Sequence, residues 1–421
     1  MISRLRENDL VYHGTIVFAG IIIASLFNYL YYMLAGRVMG VEPYGELISL
    51  NAAVFAVAAP AGVAQIVVAR LAAEFDATAN RSALRSLTRM TVGWASVLAV
   101  LAVSVVVVLR EPLAAFFHLA STQPIVVSAV TLAAFAFATI QRGIFQGSHR
   151  FGEMSLSYLI EGSVRFGIGI PLAIQHGVVG ALVGFAIGEI ACVGYSLWAL
   201  RGSLGPGGRP FRINSRSVAE IASRVGIAQL VLTVLCAQYD VALVRHFFEA
   251  NAAGLYAAAA LLGRAMLSLL AFIPTLIMPK ATALTTRGAA GLPLLVTALA
   301  VSVAIIAPAA LIAAIAPSGL VALFAGNAFR EAGPLVFTYV AAASALGLAN
   351  VVAAYQIGLH RYAFVWPAAA VGVAEVITIS LWHPSLSAVV WLLFFGHATF
   401  LAATFIGVGS KQNLRSFSGD F

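Results

Sequence analysis

Twelve apolar stretches, each long enough to cross a lipid bilayer, occupy this chain almost from end to end. A helix needs roughly 20 apolar residues to span the hydrocarbon core. Hydrophobic residues make up 61% of the 421 positions and charged residues only 10%, whereas a soluble domain carries more charge on its surface. The sequence therefore predicts an all-α integral membrane protein of about twelve transmembrane helices, at about residues 14–36, 46–69, 91–109, 124–146, 154–175, 177–200, 218–246, 250–278, 291–316, 332–357, 362–382 and 385–408.

The polar segments between these spans exclude several functional classes. The longest of them, 70–90 and 201–217, are too short to hold a soluble catalytic domain. The first span is too long for the core of a signal peptide, so we expect it to be retained. Cys192 and Cys236 both lie inside predicted spans, which indicates no disulfide framework. The sequence contains no Walker A motif and no metal-ligand spacing, so we expect no P-loop ATPase activity, no metal site and no cofactor.

The distribution of basic residues predicts the orientation in the membrane. Of the 24 lysines and arginines, 17 (Arg142 among them) fall at the termini and in the even-numbered connections, and four fall in the odd-numbered ones. The positive-inside rule then places both termini in the cytoplasm. The formal net charge of +8 is explained by this orientation, and we expect no nucleic-acid partner.

Short motifs recur at an almost constant offset along the chain. The segment Gly147–Phe151 follows the fourth span, and Gly358–Tyr362 follows the tenth span 211 positions later. Arg37 ends the first span and Arg245 ends the seventh, 208 positions later, so these two arginines are predicted to occupy equivalent exterior ends.

Glycines provide a third match, because Gly45 and Gly254 lie near the starts of spans two and eight, 209 positions apart. Three matches in order predict two pseudo-symmetric six-helix bundles related by an axis along the membrane normal. We place the N-terminal bundle at residues 1–200, a cytoplasmic linker at 201–217 and the C-terminal bundle at 218–421. Two such bundles suit alternating access, in which one rocks against the other around a central cavity.

The motifs resemble those of bacterial oligosaccharide flippases. The segment 35–45, Ala-Gly-Arg-Val-Met-Gly-Val-Glu-Pro-Tyr-Gly, is similar to the first exterior turn of that family. Segments 240–248 and 253–259 resemble its turn between spans seven and eight, and 144–151 resembles its turn after span four. The family belongs to the multidrug/oligosaccharidyl-lipid/polysaccharide (MOP) exporter superfamily, and the resemblance implies its MATE-like fold. It also implies transfer of a polyprenyl-pyrophosphate-linked glycan from the cytoplasmic to the outer leaflet of the bacterial inner membrane, for surface polysaccharide biosynthesis.

Such a flippase has the lipid-linked oligosaccharide and the phospholipid bilayer as partners, together with a polysaccharide polymerase and glycosyltransferases, and it is not an enzyme. Two alternatives stay open at this point. One is a cation-coupled drug or metabolite antiporter on the same fold, which a narrow, acidic and aromatic cavity in one lobe would favour. The other is a membrane glycosyltransferase or glycan ligase, which a large exterior catalytic loop would favour.

Ionisable side chains within the spans are the candidate functional residues, because they are costly at membrane depth and usually face a cavity or a partner. Arg264 lies near the middle of span eight with no carboxylate within one helical turn. Arg165 and Glu161 lie four residues apart on span five and share one helix face. We predict that Arg264 and Arg165 bind the pyrophosphate in the cavity, with Glu161 poising Arg165. For Arg165 and Glu161 the alternative is a structural ion pair.

Carboxylates in the spans are candidates for coupling transport to a proton or another ion. Glu189 is central in span six, Asp240 lies toward the outer end of span seven, and Glu375 lies just beyond the middle of span eleven. Because Glu375 follows Arg165 by 210 positions, the two are predicted to place opposite charges at equivalent sites in the two halves. The structural alternatives are ion pairs of Arg165 with Glu375 and of Asp240 with Arg245.

Overall fold

A computed structural model of the protein describes residues 2–204, 226, 230, 239–286, 291–359 and 361–408. This part of the chain is built from helices, with no β-strand among the described residues. The helices are α1 (Ile2–Met39), α2 (Val41–Ala77), α3 (Arg81–Val108), α4 (Arg110–Phe116), α5 (Gln123–Gly147), α6 (Phe151–Leu204), α7 (Tyr239–Phe247), α8 (Ala250–Leu270), α9 (Phe272–Thr286), α10 (Leu292–Ile315), α11 (Pro317–Phe324), a 3-10 turn (Asn327–Ala332), α12 (Gly333–Gly358), α13 (Val365–Leu381) and α14 (Leu386–Thr404).

Within the described ranges, nine helices are long and apolar enough to cross a membrane. One of them, α6, has 54 residues and covers both predicted spans five and six. The 17-residue helix α13 is apolar but shorter than the others, and most of the predicted seventh span and of the linker 201–217 lies outside the described residues. The all-helical membrane fold is thus confirmed, and the count of twelve spans stays a prediction.

Helix α6 reverses direction in its middle and forms two antiparallel arms. Gly177 has φ 57° and ψ −135°, a left-handed backbone conformation that glycine adopts without the steric cost of a side chain. An ideal Cβ on Gly169 of the first arm would lie 3.5 Å from the Cα atom of Gly184 on the second. These two glycines lie almost equally far along the chain from Gly177. The arms correspond to the predicted spans 154–175 and 177–200, whose boundary in the prediction lies beside Gly177.

Equivalent contacts in the two halves support the internal repeat. Gly147, at the end of α5, packs against the backbone carbonyl of Ala69 on α2. Gly358, at the end of α12, packs in the same way against the backbone carbonyl of Met278 on α9. The partners are 209 positions apart and the glycines 211 positions apart, so the repeated sequence motif makes the same helix contact twice.

The two halves meet where α2 crosses α8. An ideal Cβ on Gly45 would lie 2.7 Å from the Cα atom of Gly254, and Gly254 itself packs on the backbone carbonyl of Val41. Glycine at both positions lets the two backbones approach this closely, as small residues do between membrane helices. Ser49, one turn after Gly45, is fully buried and lies 3.4 Å from the carbonyl of Val241 on α7. The repeated glycines therefore define the contact between the halves.

Candidate functional site

An ion network lies inside the N-terminal half, between α1, α5 and the two arms of α6. Arg165 Nη2 donates hydrogen bonds to Glu161 Oε1 at 2.6 Å and to Glu189 Oε1 at 2.7 Å. Its Nη1 donates to Asn28 Oδ1 at 2.7 Å, and its guanidinium carbon lies 3.5 Å from the centroid of the Phe185 ring. The side chain of Arg165 is 3% exposed and that of Glu189 is fully buried. Of the two interpretations that the sequence allows for Arg165 and Glu161, these contacts favour the structural ion pair.

Arg142 completes this network, which is a correction to its assignment as an orientation signal. Its Nη2 donates to Glu161 Oε2 at 2.5 Å and its Nε donates to Ser157 Oγ at 3.1 Å. The side chain is 3% exposed, so it cannot contribute to the charge of a cytoplasmic loop. Two arginines and two glutamates then balance one another, as buried charges require. Its position inside the predicted span 124–146 was the sequence signal that could have identified it.

The C-terminal half holds two buried carboxylates that accept hydrogen bonds from tyrosines. Asp240 Oδ2 accepts from Tyr256 OH at 2.7 Å and from Tyr339 OH at 2.6 Å. Glu375 Oε1 accepts from Tyr239 OH at 2.8 Å. The tyrosines come from α7, α8 and α12 and the carboxylates from α7 and α13, so the packing of four helices builds this acidic cluster.

His397 on α14 belongs to the same cluster, and the sequence reasoning missed it. Its Nδ1 donates to the carbonyl of Ala342 at 3.0 Å, and its Nε2 lies 3.3 Å from Glu375 Oε1. A protonated His397 balances one of the two carboxylates when both Asp240 and Glu375 are ionised. The repeat offset was the signal that could have found it, because His397 follows Glu189 by 208 positions.

The predicted equivalence of Arg165 and Glu375 is visible in their packing. Gly188 packs on Arg165, with an ideal Cβ 3.1 Å from the Arg165 Cβ atom. Gly396, which follows Gly188 by 208 positions, packs on the carboxylate of Glu375. One arginine and one glutamate thus occupy corresponding places on α6 and α13.

The acid–base order is reversed between the two halves. In the N-terminal half the base Arg165 pairs with the acid Glu189, whereas in the C-terminal half the acid Glu375 faces the base His397. The basic partners of the N-terminal network are arginines, which stay protonated at any accessible pH. The basic partner of the C-terminal network is a histidine, which is charged only when both ring nitrogens carry a proton. The two halves therefore use different cations in their buried clusters.

Neither alternative ion pair suggested by the sequence is present among the described residues. Arg165 is bonded to Glu161 and Glu189 instead of Glu375. Asp240 accepts from two tyrosines, and Arg245 points away from it, because Arg245 extends toward the N-terminal half. These partners are decided by how the helices pack. The spacing of the residues along the sequence does not specify that packing.

Arg264 lines a pocket of about 270 Å³ between α8 and α12. The polar lining side chains are Arg264, Ser268 and Asn350, beside apolar groups that include Leu267 and Leu270. Arg264 follows Gly254 by ten residues, which puts it about 15 Å along α8 from the crossing with α2. The pocket is therefore near the middle of a span.

Helix α1 of the N-terminal half contacts the same turn of α8. Tyr29 OH lies 2.9 Å from the backbone carbonyl of Arg264 and 2.6 Å from Ser268 Oγ. The guanidinium carbon of Arg264 lies 5.4 Å from the centroid of the Tyr32 ring, within the range of a cation–π interaction. The pocket is thus located beside the boundary between the two halves.

The arginines predicted at equivalent exterior ends each reach the opposite half. Arg245 Nε donates to the carbonyl of Phe117 at 3.0 Å, and its Nη2 lies 3.9 Å from Glu46 Oε2. Arg37 Nη2 donates to the carbonyl of Leu323 at 2.5 Å. The Arg245 contact is buried and the Arg37 contact is exposed, so the two hydrogen bonds are equivalent in position and unequal in burial.

Across the described ranges, no group of three or more His, Cys, Asp or Glu side chains is arranged to hold a metal ion. The expectation that the protein needs no metal and no cofactor stays a prediction.

A family model that matches most of the chain identifies the family. The model of the family described as "Polysaccharide biosynthesis protein" matches residues 11–284. This chain belongs to that family. No curated protein matches the chain as a whole or in part at a significant level.

Solved structures share the fold. An inward-facing MATE-family multidrug resistance transporter of the MOP superfamily superposes with a TM-score of 0.73 at 12% identity, covering 91% of this chain and 93% of that one. The lipid II flippase MurJ, in an inward closed conformation, superposes with a TM-score of 0.68 at 12% identity, covering 95% and 88%. The MATE transporter VcmN of Vibrio cholerae gives 0.65 at 12% identity, covering 95% of each chain. This member of the polysaccharide biosynthesis family is thus a multi-pass membrane protein that shares the fold of these MOP-superfamily proteins.

Proposed function

We propose that this protein flips a polyprenyl-pyrophosphate-linked oligosaccharide from the cytoplasmic to the outer leaflet by alternating access. The observation that carries the proposal is the pocket at Arg264, which combines a cationic side chain, a hydroxyl and an amide near the middle of a span and beside the boundary between the halves. Arginine suits this role because its planar fork matches the oxygens of a phosphate. The glycan and pyrophosphate pass between the halves while the polyprenyl tail stays in lipid.

Arg264 is the phosphate-binding arginine of this proposal. Arg165 and Glu161 stabilise the N-terminal half as a buried ion pair. Arg165 already donates to two carboxylates and an amide in this conformation, and withdrawing it would leave Glu189 without its cation. Arg264 lies at membrane depth and lines the pocket. An arginine in that position is suited to an anion brought by the substrate.

The proposal places the protein in the bacterial inner membrane with both termini in the cytoplasm. Glycosyltransferases on the cytoplasmic side would supply the lipid-linked oligosaccharide, and a polymerase on the outer side would use it. The family match to polysaccharide biosynthesis supports this setting.

Replacing Arg264 tests the function. Arg264→Ala should abolish glycan export, and Arg264→Lys should retain part of it, because lysine keeps the charge and loses the bidentate geometry. The measurement is surface glycan in a complemented flippase-null strain, with the amount of membrane protein quantified in parallel. The matched control is Arg330→Ala, which removes an exposed arginine of the 3-10 turn. Normal export by Arg264→Ala at normal abundance would contradict the proposal.

A second candidate function, cation-coupled antiport, is favoured by the acidic cluster of the C-terminal half. Asp240 and Glu375 are buried with hydroxyl donors and a single histidine around them, a setting that suits uptake of a proton or another cation. Glu189 is bonded to Arg165 and is the weakest of the three predicted coupling residues. We propose that Asp240 and Glu375 couple transport to a cation gradient in either function.

Coupling is tested by transport into proteoliposomes with and without an imposed proton or sodium gradient. Glu375→Gln and Asp240→Asn should transport at similar rates in both conditions, while the unmodified protein responds to the gradient. The control is Glu153→Gln in the first turn of α6, which removes a half-exposed salt bridge to Arg150. A full gradient response in both cluster variants would exclude the coupling role.

A further inference from the structure

Two tyrosines of the N-terminal half hold the arginine that the C-terminal half presents to the pocket. Tyr29 and Tyr32 are three residues apart on α1 and so share one helix face. Tyr29 OH lies 2.9 Å from the backbone carbonyl of Arg264, and the Tyr32 ring lies under its guanidinium group with 5.4 Å between the carbon and the ring centroid. Both ends of Arg264, backbone and side chain, are therefore contacted from the opposite half.

The same tyrosine hydroxyl also contacts the second polar group of the pocket. Ser268 Oγ lies 2.6 Å from Tyr29 OH, and Ser268 follows Arg264 by one helical turn. A carbonyl oxygen only accepts, so the bond to the Arg264 carbonyl uses the single hydroxyl proton of Tyr29. The Ser268 hydroxyl then donates to the Tyr29 oxygen. Tyr29 thus fixes the turn of α8 that carries both polar groups.

We propose that Tyr29 and Tyr32 are positioning residues that make the headgroup site dependent on the arrangement of the two halves. The inference rests on the proposed function and deepens it. With the halves as they are in this structure, α1 orients Arg264 and Ser268 toward the pocket. When the halves rotate, the contacts from α1 are broken, the orientation of Arg264 is lost and the headgroup is released. A ligand shifts a conformational equilibrium only through its different affinity for the two states, and these tyrosines provide that difference.

The pocket also indicates which form of pyrophosphate it takes. Arg264 and Ser268 stand beside the apolar side chains Leu267 and Leu270. The first isoprene unit beside a prenyl diphosphate can contact the apolar wall while the rest of the tail stays in lipid, whereas inorganic pyrophosphate has no apolar group to place there. We therefore expect farnesyl pyrophosphate, a short-chain probe, to bind more tightly than inorganic pyrophosphate.

Binding of labelled farnesyl pyrophosphate to the purified full-length protein tests the inference by equilibrium dialysis. Tyr29→Phe keeps the ring and removes the hydroxyl, and we expect its Kd to rise about three- to tenfold, the effect of losing one hydrogen bond. Tyr32→Leu should give a similar rise by removing the aromatic face. The control Tyr195→Phe, on the second arm of α6 and far along the chain from the pocket, should bind like the unmodified protein. Inorganic pyrophosphate is included as a competitor.

A second readout separates positioning from stability. Ser49 is buried between the halves, so a Ser49→Cys side chain reports their separation by its reaction with a membrane-impermeant thiol reagent. Farnesyl pyrophosphate should slow this reaction severalfold in the Ser49→Cys protein and should protect it less when Tyr29→Phe is added. A tyrosine that only stabilised the fold would lower the melting temperature and leave the ligand protection unchanged.

The outcomes separate this inference from the proposed function. If Arg264→Ala loses binding while Tyr29→Phe and Tyr32→Leu bind and protect like the unmodified protein, the positioning role is excluded and the flippase proposal stands. If the unmodified protein fails to bind farnesyl pyrophosphate, both are overturned. If inorganic pyrophosphate competes as well as the farnesyl compound, the site takes free pyrophosphate and the lipid-linked assignment is wrong.

Discussion

Arg245 donates a hydrogen bond from its Nε atom to the backbone carbonyl of Phe117, 3.0 Å away, and so joins the C-terminal half to the N-terminal half. Arg37 makes the converse contact, from the N-terminal half to the carbonyl of Leu323. The arginines are 208 positions apart and the acceptors 206, so one contact is made twice with the halves exchanged. Together with the glycine crossing of α2 and α8, these bonds close the end of the bundle that the charge pattern assigns to the exterior.

Removing the buried arginine of this pair should open that end. We expect Arg245→Ala to increase the rate at which Ser49→Cys reacts with a membrane-impermeant thiol reagent by about tenfold, the effect of roughly 1.4 kcal/mol on the opening equilibrium. Arg37→Ala should have a smaller effect, because its hydrogen bond is exposed to competing water. Arg330→Ala is the control for loss of an exterior arginine. Equal labelling rates in all four proteins would show that the arginines do not hold the halves together.

The stability of the network of Arg142, Arg165, Glu161 and Glu189 should depend on its net charge more than on any single side chain. Arg165→Ala leaves two carboxylates with one arginine, and breaking a buried ion pair in this way costs about 3–5 kcal/mol of stability. Adding Glu189→Gln removes the excess negative charge, so the double variant should regain part of the loss. Thermal unfolding of the purified proteins measures both. A double variant less stable than Arg165→Ala would mean that Glu189 has a stabilising partner besides Arg165.

The glycine crossing should tolerate no side chain. Gly254 packs on the carbonyl of Val41, so Gly254→Ala must force α2 and α8 apart and should lower both the melting temperature and the export of glycan. Gly62, also on a membrane helix, has nothing within 4 Å of an ideal Cβ, and Gly62→Ala should be neutral or stabilising by up to about 1 kcal/mol. Similar melting temperatures for the two variants would indicate that α2 and α8 lie further apart than in this structure.

The orientation in the membrane is tested by thiol labelling of intact cells. Gly319, which is exposed on α11, should be labelled as Gly319→Cys by an impermeant reagent from outside. Gly207→Cys, in the linker outside the described residues, should be labelled only after the membrane is permeabilised. Labelling of Gly207→Cys alone in intact cells would reverse the orientation.

Several elements of the site follow from the sequence because they are local or repeated. Hydrophobic length predicts the spans, and the offset near 208 predicts that Arg37 corresponds to Arg245 and Arg165 to Glu375. The pairing of Arg165 with Glu161 follows from their spacing of four residues on one helix. The same offset, applied to Glu189, would have identified His397.

Other parts of the site depend on which helix faces meet. Nothing near Arg142 in the sequence shows that it reaches Glu161 on another helix, and the rule for basic residues in loops assigned it to the wrong environment. The contact of Tyr29 with Ser268 joins residues 239 positions apart, and it depends on the angle at which α1 passes α8. Such contacts are set by packing between helices, which hydropathy and spacing do not encode.

By itself the sequence determined the membrane class, the two-fold repeat and the places where charge enters the bilayer. The thickness of the hydrocarbon core fixes the length of a span, and its low polarity makes ionisable residues within a span rare and easy to recognise. Only the tertiary structure decided which charges are balanced within one half, which are held by tyrosines and a histidine, and which lie at the boundary of the halves. These partners are chosen by side chains that come together when separate helices pack, since a buried charge is stabilised by whatever the fold places within a few ångströms of it.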